Sequence, residues 1–337
     1  MPVQALILGC AGSNLGADER SLFKEAQPWG LILFKRNVAD HQQLRRLIGD
    51  FRESVGRDDA PVLIDQEGGR VQRAGPPLWP SYPSAAQFAR INHLDARREA
   101  IRLGARLIAH DLAALGITVD CLPVLDVPVA GADAVIGSRA YGFDPDAVAI
   151  GGRAAAEGLI AGGVLPVIKH IPGHGRAMVD SHLALPRVEA SREELSSRDF
   201  AAFRMLTDMP LAMTAHVVFT AIDAVRPATL SRRVFKDVIR GEIGYEGLVM
   251  SDDLSMKALC GSFAERTRRA YAAGCDVVLH CNGDRTEMEA VVAAAKPLAG
   301  AGKRRAEAAL SRIRHVPEPL DPVDGRARFE ALLAGTG

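Results

Sequence analysis

The 337-residue chain is short of cysteine, carries no net charge and has no long apolar run. Its five cysteines, Cys10, Cys121, Cys260, Cys275 and Cys281, are an odd number with no CxxC pair. That usage argues against a disulfide framework or a zinc cluster and suits a reducing compartment. Lys plus Arg and Asp plus Glu both number 41, so the formal charge is zero. A neutral chain lacks the bulk basic footprint that nucleic acid or an anionic membrane would select, and neither is expected as a partner. No apolar run approaches the roughly 18–20 residues of a membrane helix. The opening MPVQALILGCAG ends its apolar stretch in Gly9-Cys10, but no Lys or Arg precedes it and the run is too short for a secretory signal. It reads as a first buried strand, and the expected location is the cytoplasm. Also missing are GxxxxGK[ST], a GxGxxG after a strand, and a GxSxG elbow. No cofactor is therefore expected, and any chemistry must come from side chains.

What the sequence does have is a repeated alternation of a short apolar run with a longer Ala- and charge-rich stretch. The runs fall at 5–9, 30–34, 61–64, 117–127, 164–170, 211–219, 247–253 and 276–281. Between them, 95–116 places Ala, Leu and Arg at helical spacing and stops at Gly116. The segment 191–206 opens on a capping box, Ser191 with Glu194. Residues 231–244, Phe263 to Gly274, and the stretch from Asp284 to Pro297 also read as helices. Strands alternating with helices predict a parallel sheet covered on both faces, and eight of them close a (β/α)₈ barrel. An open doubly wound sheet is the alternative. The segment 68–83, rich in proline and glycine, is expected to be a long irregular loop. The whole chain, 1–337, is expected to form one catalytic domain, with a Pro-rich tail from about residue 316 packed on the surface.

In a barrel the chemistry sits at the C-terminal ends of the strands. Those ends hold Asp65-Gln66-Glu67 with Arg70 and Arg73, Asp126 with Arg139 in its loop, and Lys169-His170 with His174, Asp180 and His182. They also hold His216, Ser251-Asp252-Asp253 and His280-Cys281-Asn282. Charged or imidazole groups at most strand ends predict a polar pocket. Each has a plainer reading. Asp252 or Asp253 could cap the next helix, and Asp65 and Glu67 could simply pair with Arg70 and Arg73. His170, His174 and His182 suggest a metal, but His170-x₃-His174 spans Pro172 and Gly173 and so is not a helical pair. No Cys or Glu completes a ligand set, and no metal is expected. Lys169 on an apolar strand requires a partner or a ligand. The inventory suits hydrolysis or group transfer on a polyhydroxylated substrate.

Four segments together, DQEGGRVQR (65–73), KHIPGHG (169–175), DSH (180–182) and GLVMSDDLSM (247–256), resemble the family 3 glycoside hydrolases. More narrowly they resemble the bacterial β-N-acetylglucosaminidases, or β-hexosaminidases, of peptidoglycan recycling. Val238-Ile239-Arg240 and Glu242, upstream of Gly247, complete the family's nucleophile signature. The resemblance implies Asp252 as catalytic nucleophile, His182 as general acid/base and Asp180 as its orienting partner. It implies sugar binding by Asp65, Arg73, Arg139, Lys169 and His170. The implied reaction releases terminal β-linked N-acetylglucosamine, with retention, from its 1,6-anhydro-N-acetylmuramic acid conjugate, with or without peptide. The chain resembles the one-domain form of the family and is expected to act as a monomer. Two other functions fit the same residues: a phosphorylase, since a neutral His base tolerates an incoming phosphate, and a catalytically silent sugar-binding barrel.

Overall fold

The computed structural model describes residues 1–181 and 183–335. Eight strands lie in order around a closed barrel: β1 (Gln4–Leu8), β2 (Pro28–Leu33), β3 (Val62–Ile64), β4 (Val119–Asp120), β5 (Leu165–Ile171), β6 (Leu211–Thr214), β7 (Leu248–Asp253) and β8 (Val277–His280). Every neighbouring pair is parallel, and β8 closes on β1. The fold is therefore the (β/α)₈ barrel expected from the eight apolar runs. Alternation along each strand separates two cores. Ile7, Leu63, Val119, Leu165, Val167, Leu211, Leu248 and Val277 fill the barrel interior, while Leu6, Leu8, Ile64, Ile168 and Val249 face the helices. Such double burial explains why the strands read as continuous apolar runs.

The outer layer comprises α1 (Ala17–Ala26), α2 (His41–Val55), α3 (Leu94–Ala113), α4 (Pro145–Ala161), α5 (192–204), α6 (Val234–Glu242), α7 (Phe263–Ala273) and α8 (Arg285–Val292). Two more follow, α9 (Gly300–Ser311) and α10 (Pro322–Leu333). Helix α5 begins at the expected capping box, Ser191 Oγ accepting from Glu194 N at 3.2 Å and Glu194 Oε2 from Ser191 N at 2.9 Å. It then widens to π-helical winding over Leu195–Asp199, as does α6 throughout.

Three expectations need correction. Residues 117–127 form only the two-residue β4, because Pro123 and Pro128 cannot donate to a ladder; beyond Asp120 a single bridge, Val124 to Lys169, continues the pairing. Residues 211–219 likewise end as a barrel strand at Thr214, and Val218–Phe219 pairs instead with Arg187–Val188. The tail is not merely a surface strap. Its α10 is capped by Asp321 and inserts Phe329, 6% exposed, against Tyr82 and Phe88. Gly104 on α3 makes room for that ring, since a Cβ there would lie 2.8 Å from Phe329 Cε2.

Candidate active site

The C-terminal ends of the strands enclose a cavity of about 270 Å³. Asp65, Arg73, Arg139, Lys169, His170, Asp180 and Asp252 all line it, so seven of the eight residues to which the resemblance gives a role converge there. The eighth, His182, lies outside the described residues. Among the described residues no group of three or more His, Cys, Asp or Glu side chains is arranged to hold a metal ion.

Two strand irregularities aim side chains into this cavity. In β5, Lys169 pairs with Met213 and Ile171 with the next residue, Thr214, so His170 is an extra residue. In β7, Met250 pairs with Val277 and Asp253 with Leu279, again with one residue too many on the β7 side. A bulge of this kind breaks strict alternation and re-aims side chains. Lys169 and His170 therefore both face the cavity, as do Asp252 and Asp253. Ser251 Oγ fills the gap in the β7 ladder by accepting from Leu279 N at 2.9 Å.

On the β3 side an ion-pair cluster forms. Lys169, 2% exposed, sits 2.9 Å from Asp65 Oδ1 and 2.7 Å from Glu67 Oε1. Arg73 donates to Asp65 Oδ2 at 3.0 Å, and Arg139 makes a two-pronged contact with Glu67, both at 2.8 Å. Glu67 thus pairs with Lys169 and Arg139, not with the arginines of its own loop; Arg70 instead donates to the Ala134 and Val135 carbonyls. Burial works against both carboxylates, but Lys169 and Arg73 hold Asp65 far below its ordinary range. Arg139 and Lys169 bring Glu67 down to about 2. Burial equally disfavours the Lys169 cation, and the two carboxylates more than compensate, raising its pKa. The two acids and three bases leave one positive charge in excess. Such a cluster offers fixed donors and acceptors side by side, which suits hydroxyl groups.

His170 is oriented by a residue whose partner sequence reading left unspecified. Asp126, fully buried, accepts from His170 Nδ1 at 2.7 Å and from the His174 N–H at 2.6 Å. Burial would raise the Asp126 carboxyl, but His170 and His174 hold it below its usual range. The Nε2 edge of His170 is left for a ligand. The His174 ring packs 5.7 Å from that of His170. Burial, and then the His170 neighbour, push it down to about 4, so it is neutral. Beneath the cluster, burial raises the fully enclosed Asp120 carboxyl well above its ordinary range, with Oδ1 accepting from Gln66 N at 2.9 Å. Asp120 was not singled out from sequence, since it sits in a segment that reads as strand, and Glu67 was read only as a loop partner of Arg70 and Arg73.

The two adjacent aspartates have different surroundings. Asp253 accepts from Cys281 N at 3.0 Å and Ser255 N at 2.9 Å, fixing its loop. Among the described residues, Asp252 Oδ1 accepts only from Asp253 N, at 2.8 Å. Neither caps the next helix; Ser262 does, accepting from Glu265 N. Gly175 brings the β5 loop against the β4 loop so closely that a Cβ there would lie 2.1 Å from Val127 O. Of the remaining strand-end histidines, His280 turns away from the cavity onto Phe263, at 5.2 Å, and His216 is enclosed behind Asp252.

Residues 4–316 match the family model for the glycosyl hydrolase family 3 N-terminal domain. A β-hexosaminidase of Alkalilimnicola ehrlichii is 38% identical over 94% of this chain and 85% of its own length. One from Pseudomonas aeruginosa is 36% identical over 87% of both. The crystal structure of NagZ from Neisseria gonorrhoeae in complex with N-trifluoroacetyl-D-glucosamine superposes with a TM-score of 0.84 at 30% identity, covering 100% of this chain and 99% of that one. The eightfold barrel, the polar cavity at its strand ends and these likenesses agree: the chain belongs to glycosyl hydrolase family 3, as a glycosidase of its β-hexosaminidase group.

Proposed function

We propose that the enzyme removes non-reducing terminal β-linked N-acetylglucosamine from peptidoglycan fragments, with retention, through a glycosyl ester on Asp252. The observation that carries this reading is Asp252, a cavity-facing aspartate to which no described Lys, Arg or His is ion-paired, set beside the paired charges of Asp65 and Glu67. Among the described residues Asp252 Oδ2 has no hydrogen-bond partner, while Asp65 and Glu67 are each tied to two cations. In the first step an Asp252 oxygen attacks the anomeric carbon from below the ring. His182 gives its proton to the departing aglycone oxygen, and the C1–O bond breaks. In the second step His182 removes a proton from water, the water oxygen bonds to C1, and the ester oxygen returns to Asp252 as carboxylate. Two inversions give net retention. Asp180 holds the imidazole and favours its charged form.

Asp65 with Lys169, and Arg73, Arg139 and His170, grip the sugar hydroxyls and acetamido group in this reading. N-trifluoroacetyl-D-glucosamine in the gonococcal NagZ structure is a ligand of the same class. We further propose that residues 1–337 act as one monomeric catalytic domain in the cytoplasm, in cell-wall recycling; no described helix is long and apolar enough to cross a membrane. The test compares the natural disaccharide with a dinitrophenyl N-acetylglucosaminide. His182→Ala should cut turnover of the disaccharide by about 10²–10⁴-fold. With the dinitrophenyl substrate the first step survives, and azide restores turnover as a β-glycosyl azide. Azide rescue in His174→Ala but not in His182→Ala would assign the acid/base to the other histidine.

A further inference from the structure

Behind Asp252 runs a closed chain of hydrogen bonds that nothing in the proposed reaction uses directly. The Asp252 N–H points at Thr214 Oγ1, 3.3 Å away. Thr214 Oγ1 is 2.8 Å from Thr229 Oγ1, which is 2.7 Å from His216 Nδ1. His216 Nε2 is 2.9 Å from the Asp253 carbonyl oxygen. All three side chains are 0% exposed. The amide N–H at one end can only donate and the carbonyl at the other can only accept. His216 donates from Nε2, so in the neutral ring Nδ1 is an acceptor for the Thr229 hydroxyl, which also faces the Ala215 carbonyl at 3.1 Å. Thr229 in turn accepts from Thr214, and Thr214 from the Asp252 N–H. Burial lowers the His216 pKa and so favours the neutral ring this requires. Between the two ends, the Asp253 N–H is held by the Asp252 carboxylate itself. Every polar backbone group from the Asp252 N–H to the Asp253 carbonyl, other than the Asp252 carbonyl, is thereby tied to this ring or to the carboxylate.

We propose that Thr214, Thr229 and His216 are positioning residues that fix the Asp252–Asp253 peptide, and through it the Asp252 carboxylate, in the orientation for attack on the anomeric carbon. The inference rests on the reading of Asp252 as nucleophile. The circuit anchors β6 and the loop after it to the bulged end of β7, where the ladder no longer sets the backbone. It touches no part of the cavity that would hold the sugar. Its loss should therefore slow chemistry without weakening binding, since a displaced nucleophile lowers kcat while Asp65, Lys169 and Arg139 still hold the sugar.

The test uses Thr229→Val, which removes the hydroxyl at constant shape, and Thr229→Ser, which keeps it. With dinitrophenyl N-acetylglucosaminide, Thr229→Val should lose about 10–100-fold in kcat, while Thr229→Ser stays within about threefold of wild type. The inhibition constant of N-acetylglucosamine should be unchanged in both. If Thr229→Val does not fold, His216→Gln, which reaches Asp253 with an amide donor but withdraws the Nδ1 acceptor, should lower kcat with the same unchanged inhibition constant. Wild-type kcat in the folded variant, equal loss in Thr229→Ser, or parallel loss of binding would each overturn the assignment. Asp252→Asn, measured beside them, separates the two ideas. An inactive Asp252→Asn with an unaffected Thr229→Val removes only the circuit's role, whereas an active Asp252→Asn removes the nucleophile reading itself.

Discussion

Glu67→Gln removes one negative charge from the ion-pair cluster while keeping the side chain's shape, and the cost can be worked from the structure. Glu67 is 8% exposed and shares itself between Lys169 at 2.7 Å and Arg139 at 2.8 Å. Its pKa falls from an ordinary 4.5 to about 2, burial opposing and Arg139 and Lys169 outweighing it. At about 1.4 kcal/mol per tenfold in the ionisation equilibrium, the folded protein favours the ionised form by about 3 kcal/mol. Glutamine approximates the protonated carboxyl and adds an amide facing two cations, so Glu67→Gln should cost about 3–5 kcal/mol at pH 7, as breaking a buried pair does. The assay is urea unfolding followed by far-UV circular dichroism and tryptophan fluorescence together. The pH dependence has a definite sign. A depressed folded pKa stabilises above the unfolded value near 4.5 and is lost as pH falls toward 2, so the gap between wild type and variant is constant from pH 7 to 5 and narrows below 4.5. A cost under about 1 kcal/mol, the range of an exposed pair, or a gap that widens on acidification, would refute the reasoning.

Asp253→Asn should lower the thermal midpoint and activity together, because the Asp253 carboxylate, though at the cavity edge, is engaged by the Cys281 and Ser255 N–H groups; lost activity at unchanged stability would contradict this. His174 is neutral in the fold with a pKa of about 4 against an ordinary 6.5. The unfolded chain therefore takes up the proton first, and stability is lost as pH falls from about 6.5 to 4. His174→Gln should flatten the fall of stability with pH across that window by up to one proton, read from unfolding free energies at several pH values. Phe329→Ala should cost about 3–5 kcal/mol by opening a cavity against Gly104, Tyr82 and Phe88; a loss below 1 kcal/mol would mean that α10 is dispensable.

The barrel was legible because burial on both strand faces leaves eight apolar runs that helices separate. The strand lengths were not, because Pro123 interrupts a continuous apolar run and Val218–Phe219 finds a partner outside the barrel. The tail's composition announced prolines but not the helix behind them, since the signal for α10 is one buried aromatic meeting a glycine 225 positions away. The candidate site was legible as a set of polar residues at strand ends. Their pairing was not: Glu67 and Arg139 lie 72 residues apart, and only the closed barrel brings them together. The bulges at His170 and Asp252 leave no mark in composition, yet they decide which side chains share the cavity. Likewise His216 reads as one more strand-end histidine, and only the structure shows it enclosed behind Asp252.

The central claim is the covalent role of Asp252, and trapping tests it most directly. A 5-fluoro-N-acetylglucosaminyl donor with a good leaving group should inactivate the wild-type enzyme with the mass of one glycosyl residue. Peptide mapping should place that mass on Asp252, and Asp252→Asn should remain unlabelled. Label on Asp253 or elsewhere, or turnover through a released oxazoline with the protein never modified, would contradict the account.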